Sequence, residues 1–156
     1  MQVCRISSRS YASEAFSGEG ASLEGGRWNP IGSLVVYTSA SLSLAALEYF
    51  TNLEIEDPDI SLVAVSAEIP QSVQVASLSL GELPANWRVY PAPRSTRDLG
   101  AQWLAAGRSA VLSVPSVLIP AERNYLLNPI HPEFRKIVIH KPEPFSFDPR
   151  MWKAGR

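Results

Sequence analysis

Between Trp28 and Leu53 the only Asp, Glu, Lys, Arg or His is Glu48, set among Leu44, Leu47 and Tyr49. A carboxylate in such company is costly unless a partner compensates it, and functional carboxylates arise in this way. Read alone, the plainer account of Glu48 is an exposed glutamate on a narrow polar stripe. Arg27 opens the same stretch. It follows Gly25 and Gly26, whose missing side chains let backbone approach a ligand closely, and it precedes Trp28, a flat apolar surface able to stack on a ring. A guanidinium beside a stacking aromatic suits an anionic, ring-containing ligand such as a nucleotide. The competing account is a surface turn whose Trp28 plugs the core. Tyr37 stands in the next apolar run, either as core or presenting its ring and hydroxyl to a cleft. A second uncharged run, Ser109 to Ala121, carries Ser116 between Pro115 and Val117, so its hydroxyl is well placed. Only His131 and His140 are available as bases, neither near it in sequence, and a serine hydrolase is a poor fit. Asn128 and His131 lie in the turn-dense run from Glu122 to Pro132, where such side chains most often cap backbone.

These residues need elements to hold them. Gln2 to Ile6 reads as a first short strand, and the polar stretch from Ser7 to Gly26 as an active-site-type loop or an irregular helix. Leu34 to Thr38 is β-branched and apolar after the turn at Asn29-Pro30-Ile31-Gly32, which predicts a buried strand. Leu42, Ala45, Ala46, Tyr49, Phe50 and Leu53 follow helical spacing, with Ser39 or Ser41 as cap. Ser61 to Ile69 alternates as a strand that Pro70 ends. Ser95 to Gly107 is a second helix, capped by Ser95 or Thr96, with Leu99, Trp103 and Ala106 on one face and Gly107 as its stop. Ala110 to Val114 is a strand that Val117 to Ile119 extend past Pro115, and Arg135 to His140 a late one. Strands in consecutive groups with two or three helices predict an α+β fold with a curved or split mixed sheet. No strand runs into a Gly-rich phosphate loop opening a helix, which argues against a doubly wound nucleotide fold.

Composition narrows the classes further. The chain has 156 residues, 46% hydrophobic and 19% charged, which suits one globular domain. Fourteen Lys and Arg against fifteen Asp and Glu give a formal charge of −1, too little for a phosphate-backbone footprint, so no direct nucleic-acid binding is expected. One cysteine, Cys4, and two histidines predict neither a disulfide nor a structural metal. The start has no apolar leader and the longest apolar runs are far short of the ~18 residues of a membrane span, so a cytoplasmic protein is expected, away from membranes. Thirteen prolines, most of them in the second half, favour short strands and rigid turns there.

The blocks Gly25-Gly26-Arg27-Trp28-Asn29-Pro30-Ile31-Gly32, Tyr37-Thr38-Ser39, Ala45-Ala46-Leu47-Glu48 and Val114-Pro115-Ser116 running into Asn124 to Pro132 closely resemble the RES-domain family. These are toxins of bacterial toxin–antitoxin pairs, named for an arginine, a glutamate and a serine that match Arg27, Glu48 and Ser116. The resemblance covers about Arg5 to Phe147 and implies a single RES domain over residues 1–156 with an ADP-ribosyltransferase-like fold. It further implies cleavage of the nicotinamide–ribose bond of NAD by phosphorolysis or hydrolysis, or ADP-ribose transfer to a protein. NAD is then substrate, inorganic phosphate a possible co-substrate, and no prosthetic group or metal is implied. On this resemblance Glu48 stabilises the ribosyl cation, and Arg27 holds pyrophosphate or phosphate. Trp28 and Tyr37 pack on nicotinamide or adenine, Ser116 bonds ribose or carboxamide, and Gly26 and Asn128 add contacts. The implied partner is an antitoxin with an Xre-like helix-turn-helix domain that blocks the active site, in a complex holding two or more toxin copies. The remaining alternative is an inactive relative acting as an interaction module, against which the joint presence of Arg27, Glu48 and Ser116 argues.

Overall fold

The structure is a computed structural model and describes residues 1–53 and 60–152. In chain order the strands are β1 (Gln2–Ser8), β2 (Val36–Ser39), β3 (Leu62–Glu68), β4 (Val75–Ser77), β5 (Val111–Pro115), β6 (Arg123–Leu127), β7 (Val138–Ile139) and β8 (Glu143–Phe145). The α-helices are α1 (Glu19–Glu24), α2 (Leu42–Thr51) and α3 (Arg94–Ala106). The strands form one sheet in the order β4-β5-β6-β2-β1-β3-β7, with β8 also paired to β3. Every pairing is antiparallel except β4 with β5.

The α+β expectation holds: the sheet is mixed and curled, and it is split between two neighbouring strands. β1 pairs with β3 over its whole length, from Gln2↔Glu68 to Ser8↔Leu62, yet it meets β2 at the single register pair Cys4↔Ser39. Where β1 and β2 part, the Arg5 guanidinium replaces the missing backbone ladder, its Nη1 donating to the Tyr37 carbonyl at 3.0 Å. A buried carbonyl without a partner is expensive, so this side-chain bond lets the sheet open without orphaning Tyr37.

Three apolar clusters hold the elements. Val3, Val36, Val63, Val65 and Leu127 pack with Ala15 and Phe16. Trp28, Trp87 and Trp103 close on Val35, Leu112, Val114 and Leu126, which fixes α3. Ile6, Ala45 and Leu62 pack with Phe147, Tyr49 and Phe50, which fixes α2 against β1 and β3. α2 begins at Ser41, whose hydroxyl accepts from the Leu44 N–H at 3.1 Å, so the second of the two expected caps is the one used.

The sequence reading departs from the fold in the second half. β6 occupies a stretch read as turns, because its Tyr125-Leu126-Leu127 is too short to display a period against the prolines that follow. Val117 to Ile119 do not extend β5; they form the turn that returns the chain to β6, the Ser116 N–H donating to the Glu122 carbonyl at 2.9 Å. The late strand shrinks to β7, preceded by a 3-10 turn over Pro132–Lys136. The polar stretch after β1 holds a 3-10 turn over Arg9–Glu14 and the short helix α1. Neither Ser95 nor Thr96 caps α3: its N-cap is Pro93, with Ser95 bonded to Asn86 and Thr96 to the Pro93 carbonyl. Ala106 is exposed, and Thr96 and Gly100 take the buried positions beside Trp103. Among the described residues, no helix is long and apolar enough to cross a membrane.

Candidate active site

Glu48 lies in the last two turns of α2, half-buried, and its carboxylate is held from two strands away. Oε1 accepts from Ser116 Oγ at 2.8 Å and from Asn124 Nδ2 at 2.6 Å. Ser116 is fully buried just past β5, and its hydroxyl accepts from the Leu118 and Ile119 N–H groups at 3.1 and 3.2 Å. Its one proton is therefore directed to Glu48. This replaces the expected ligand contact of Ser116 with an inward one: the side chain fixes the carboxylate from behind. Glu48 is thus not the exposed glutamate of the plainer account: it is half-buried and accepts from two donors.

Tyr37 lies on β2 and shares a cleft with Glu48, whereas Arg27, on the turn before it, is not among the residues that line that cleft. Nη1 of Arg27 donates to the carbonyls of Trp87 and Val89 at 2.7 and 2.9 Å, clasping the segment before α3. Burial pushes the Arg27 guanidinium below its ordinary pKa, against the pull of the Glu48 carboxylate and the Tyr37 hydroxyl. Arg27 is thus within reach of the Glu48 charge while held by its own partners. The Tyr37 hydroxyl donates to Asn29 Oδ1 at 2.6 Å and accepts from the Trp28 N–H at 3.1 Å, and burial drives its pKa far above the usual phenol value. Asn29, wholly buried, in turn donates to the carbonyls of Ala21, Pro30 and Ser33, locking the turn over Tyr37. Gly26 is required here: a Cβ would fall 2.5 Å from the Tyr37 hydroxyl oxygen and 2.8 Å from Asn29 Oδ1. Gly26 serves the packing of that turn.

A cleft of about 820 Å³ is lined by Arg5 of β1, Tyr37 and Ser39 of β2, Glu48 and Tyr49 of α2 and Asn124 of β6, together with Tyr11, Glu14, Leu23 and Glu24. Its size is toward the upper end of the ~300–1,000 Å³ usual for ligand sites. Arg5 is the cation set into its wall. Burial pushes its pKa down while the Tyr49 hydroxyl opposes this, and among the described residues its Nε is buried without a hydrogen-bond partner.

Two expected ligand residues are placed elsewhere. Trp28 is 3% exposed and packs on Trp87 and Trp103, so its face has no room for a ring from outside and the core account prevails. Asn128 is buried just past the end of β6 and does not line the cleft, and its Oδ1 accepts from the Ile130 N–H at 3.2 Å. His131 likewise accepts at Nδ1 from the Glu133 N–H at 3.1 Å, a turn cap. Arg5 and Asn124 are the site residues that sequence reasoning passed over. Arg5 carried only a weak signal, a single charge between Cys4 and Ile6 in a half-polar strand; Asn124 carried none, since its value comes from the partner strand. Among the described residues, no group of three His, Cys, Asp or Glu is arranged to hold a metal ion.

A split mixed sheet presenting an anchored carboxylate and a buried guanidinium to one cleft defines the class of domain. The RES domain family matches residues 2–148, and the chain belongs to that family. Over 145 residues it is 38% identical to the "Prs ADP-ribosylating toxin" of Sphingobium sp. (strain YBL2), covering 92% of this chain and 90% of that protein. Over 152 residues it is 38% identical to the "Toxin Res" of Yersinia enterocolitica, covering 97% and 99%. The fold is shared with a chain of the M. tuberculosis MbcT-MbcA toxin-antitoxin complex, at a TM-score of 0.74 and 13% identity, over 97% of this chain and 86% of that one.

Proposed function

We propose that this protein is the toxin of a bacterial toxin–antitoxin pair, acting in the cytoplasm, and that it cleaves the nicotinamide–ribose bond of NAD. The observation that carries the reading is the Glu48 carboxylate, fixed at Oε1 by Ser116 and Asn124 on the wall of a cleft that also holds Arg5. Nicotinamide departs with the electron pair of its bond to ribose, becoming neutral, and the anomeric carbon takes on positive charge. A preorganised carboxylate stabilises that charge more than it stabilises the bound substrate, which is what lowers the barrier. Its free oxygen also suits a ribose hydroxyl, whose bond strengthens as the cation forms. Arg5 is the guanidinium placed for a phosphate oxygen of the dinucleotide, and Arg27 acts through the segment it clasps. Water or inorganic phosphate then attacks the cation, forming the new C–O bond, and an attacking water gives up a proton.

A second reading, transfer of ADP-ribose to a protein, is favoured by the name of the Sphingobium relative and uses the same residues with a protein side chain as acceptor. Purified protein incubated with NAD should release free nicotinamide. Faster release with added phosphate and ADP-ribose 1″-phosphate as product marks phosphorolysis; plain ADP-ribose marks hydrolysis; label moving onto a protein band marks transfer. Intact NAD in all three assays rejects the proposal. A single RES domain over residues 1–156 carries this site, and an antitoxin with an Xre-like helix-turn-helix domain is the partner that closes it, within a complex of two or more toxin copies.

A further inference from the structure

We propose that Asn124 is a positioning residue for Glu48: together with Ser39 it decides which carboxylate oxygen faces the ligand. The inference rests on the catalytic reading of Glu48 given above. Oε1 of Glu48 accepts two hydrogen bonds, from Asn124 at 2.6 Å and from Ser116 at 2.8 Å, and this commits both of its in-plane lone pairs. Oε2 is then the oxygen left for the cleft. An amide can present either its NH₂ or its carbonyl to a neighbour, and a carbonyl turned toward a carboxylate would repel it. The acceptor-only Glu48 carboxylate selects the NH₂, and Ser39 supports that orientation. Its hydroxyl donates to Asn124 Oδ1 at 2.8 Å, satisfying the carbonyl while the NH₂ faces Glu48.

The backbone fixes this relay in turn. Ser39 and Asn124 are register partners in the β2–β6 ladder, and Asn124 is also paired with Val114 in β5, one strand residue short of Pro115 and Ser116. The two donors that reach Glu48 therefore descend from one pair of neighbouring strands, while Glu48 itself is carried by a helix on the sheet. A glutamate has three side-chain torsions to immobilise, and one donor leaves its carboxylate free to rotate about the remaining bond. Two donors on one oxygen define its plane. Ser116 is fully buried, whereas Asn124 lines the cleft, so Asn124 is the donor whose loss opens the carboxylate toward solvent.

The test compares Asn124→Ala, Asn124→Asp and Ser39→Ala with wild type in nicotinamide release from NAD, alongside crystal structures of the variants. Loss of a hydrogen bond to a charged group corresponds to about 10- to 100-fold in rate. Asn124→Ala should lower kcat by that factor with KM for NAD little changed, since the carboxylate acts in the transition state. Asn124→Asp keeps the shape and the bond from Ser39 but sets an acceptor against Glu48, so it should be no better than alanine. Ser39→Ala should give a smaller loss in kcat. If Asn124 served only to fill space, aspartate would restore the wild-type rate, and that result overturns the proposal. The structures supply the arm that does not depend on activity: the Glu48 carboxylate should leave its single orientation in Asn124→Ala, and an unmoved carboxylate overturns the proposal. A displaced carboxylate in a protein that never cleaves NAD would uphold the positioning role and reject the catalytic reading.

Discussion

Glu48 and Arg27 differ in how their surroundings use their charge. Glu48 is held by neutral donors, Ser116 and Asn124, so its negative charge is oriented without being cancelled. That is the condition for stabilising a cation that appears only in the transition state. Glu48→Gln preserves size and an acceptor oxygen for both donors but removes the charge, and we expect NAD cleavage to fall at least ~10²-fold in a normally folded protein. Near-wild-type nicotinamide release by the folded variant would remove Glu48 from the chemistry. Arg27 directs one nitrogen at two carbonyls of the segment before α3. Arg27→Lys supplies a point charge without the planar fork, so it should recover only part of the activity lost in Arg27→Ala, as read from kcat/KM for NAD. Full recovery with lysine would reduce Arg27 to a general positive field.

At the scale of elements, α3 is coupled to the turn that carries Arg27. Gly100 packs on the backbone of Trp28 so closely that a Cβ would overlap the Trp28 carbonyl oxygen, and the helix cannot yield because Trp103 is seated in the tryptophan cluster. Gly100→Ala should raise helix propensity slightly yet destabilise the fold by about 2 kcal/mol or more, through steric conflict with rigid backbone. A lowered urea midpoint with an unchanged slope would report this. An unaltered midpoint would show that α3 shifts freely over Trp28. The same coupling explains why a glycine in mid-helix was invisible as a packing residue in the sequence: helical periodicity identifies which face is apolar, while the nearness of a second backbone depends on a turn some seventy positions away.

For the molecule as a whole, charge and the cleft set the expectation about partners. A formal charge of −1 offers little field for a phosphate backbone, so on the proposed function operator binding is expected of the antitoxin. The Arg27/Glu48 double variant should lose toxicity and still co-purify with antitoxin, because covering the cleft inhibits without any change in the toxin's fold. Toxin alone shifting operator DNA at physiological salt, or a complex that cleaves NAD as fast as free toxin, would contradict this. Several features were determined by sequence alone. The lone Glu48, the Gly25-Gly26-Arg27 turn, the positions of α2 and α3 and the mixed α+β sheet all follow from local composition and periodicity, which are properties of neighbouring residues. The family match spans residues 2–148 and so includes those blocks. Only the tertiary structure decided that Trp28 is core and Asn128 a turn cap, that Ser116 faces Glu48, and that Arg5 and Asn124 line the cleft. Each of those outcomes depends on which strands become neighbours and where β1 and β2 separate, and strand pairing joins residues whose distance along the chain carries no trace of their contact.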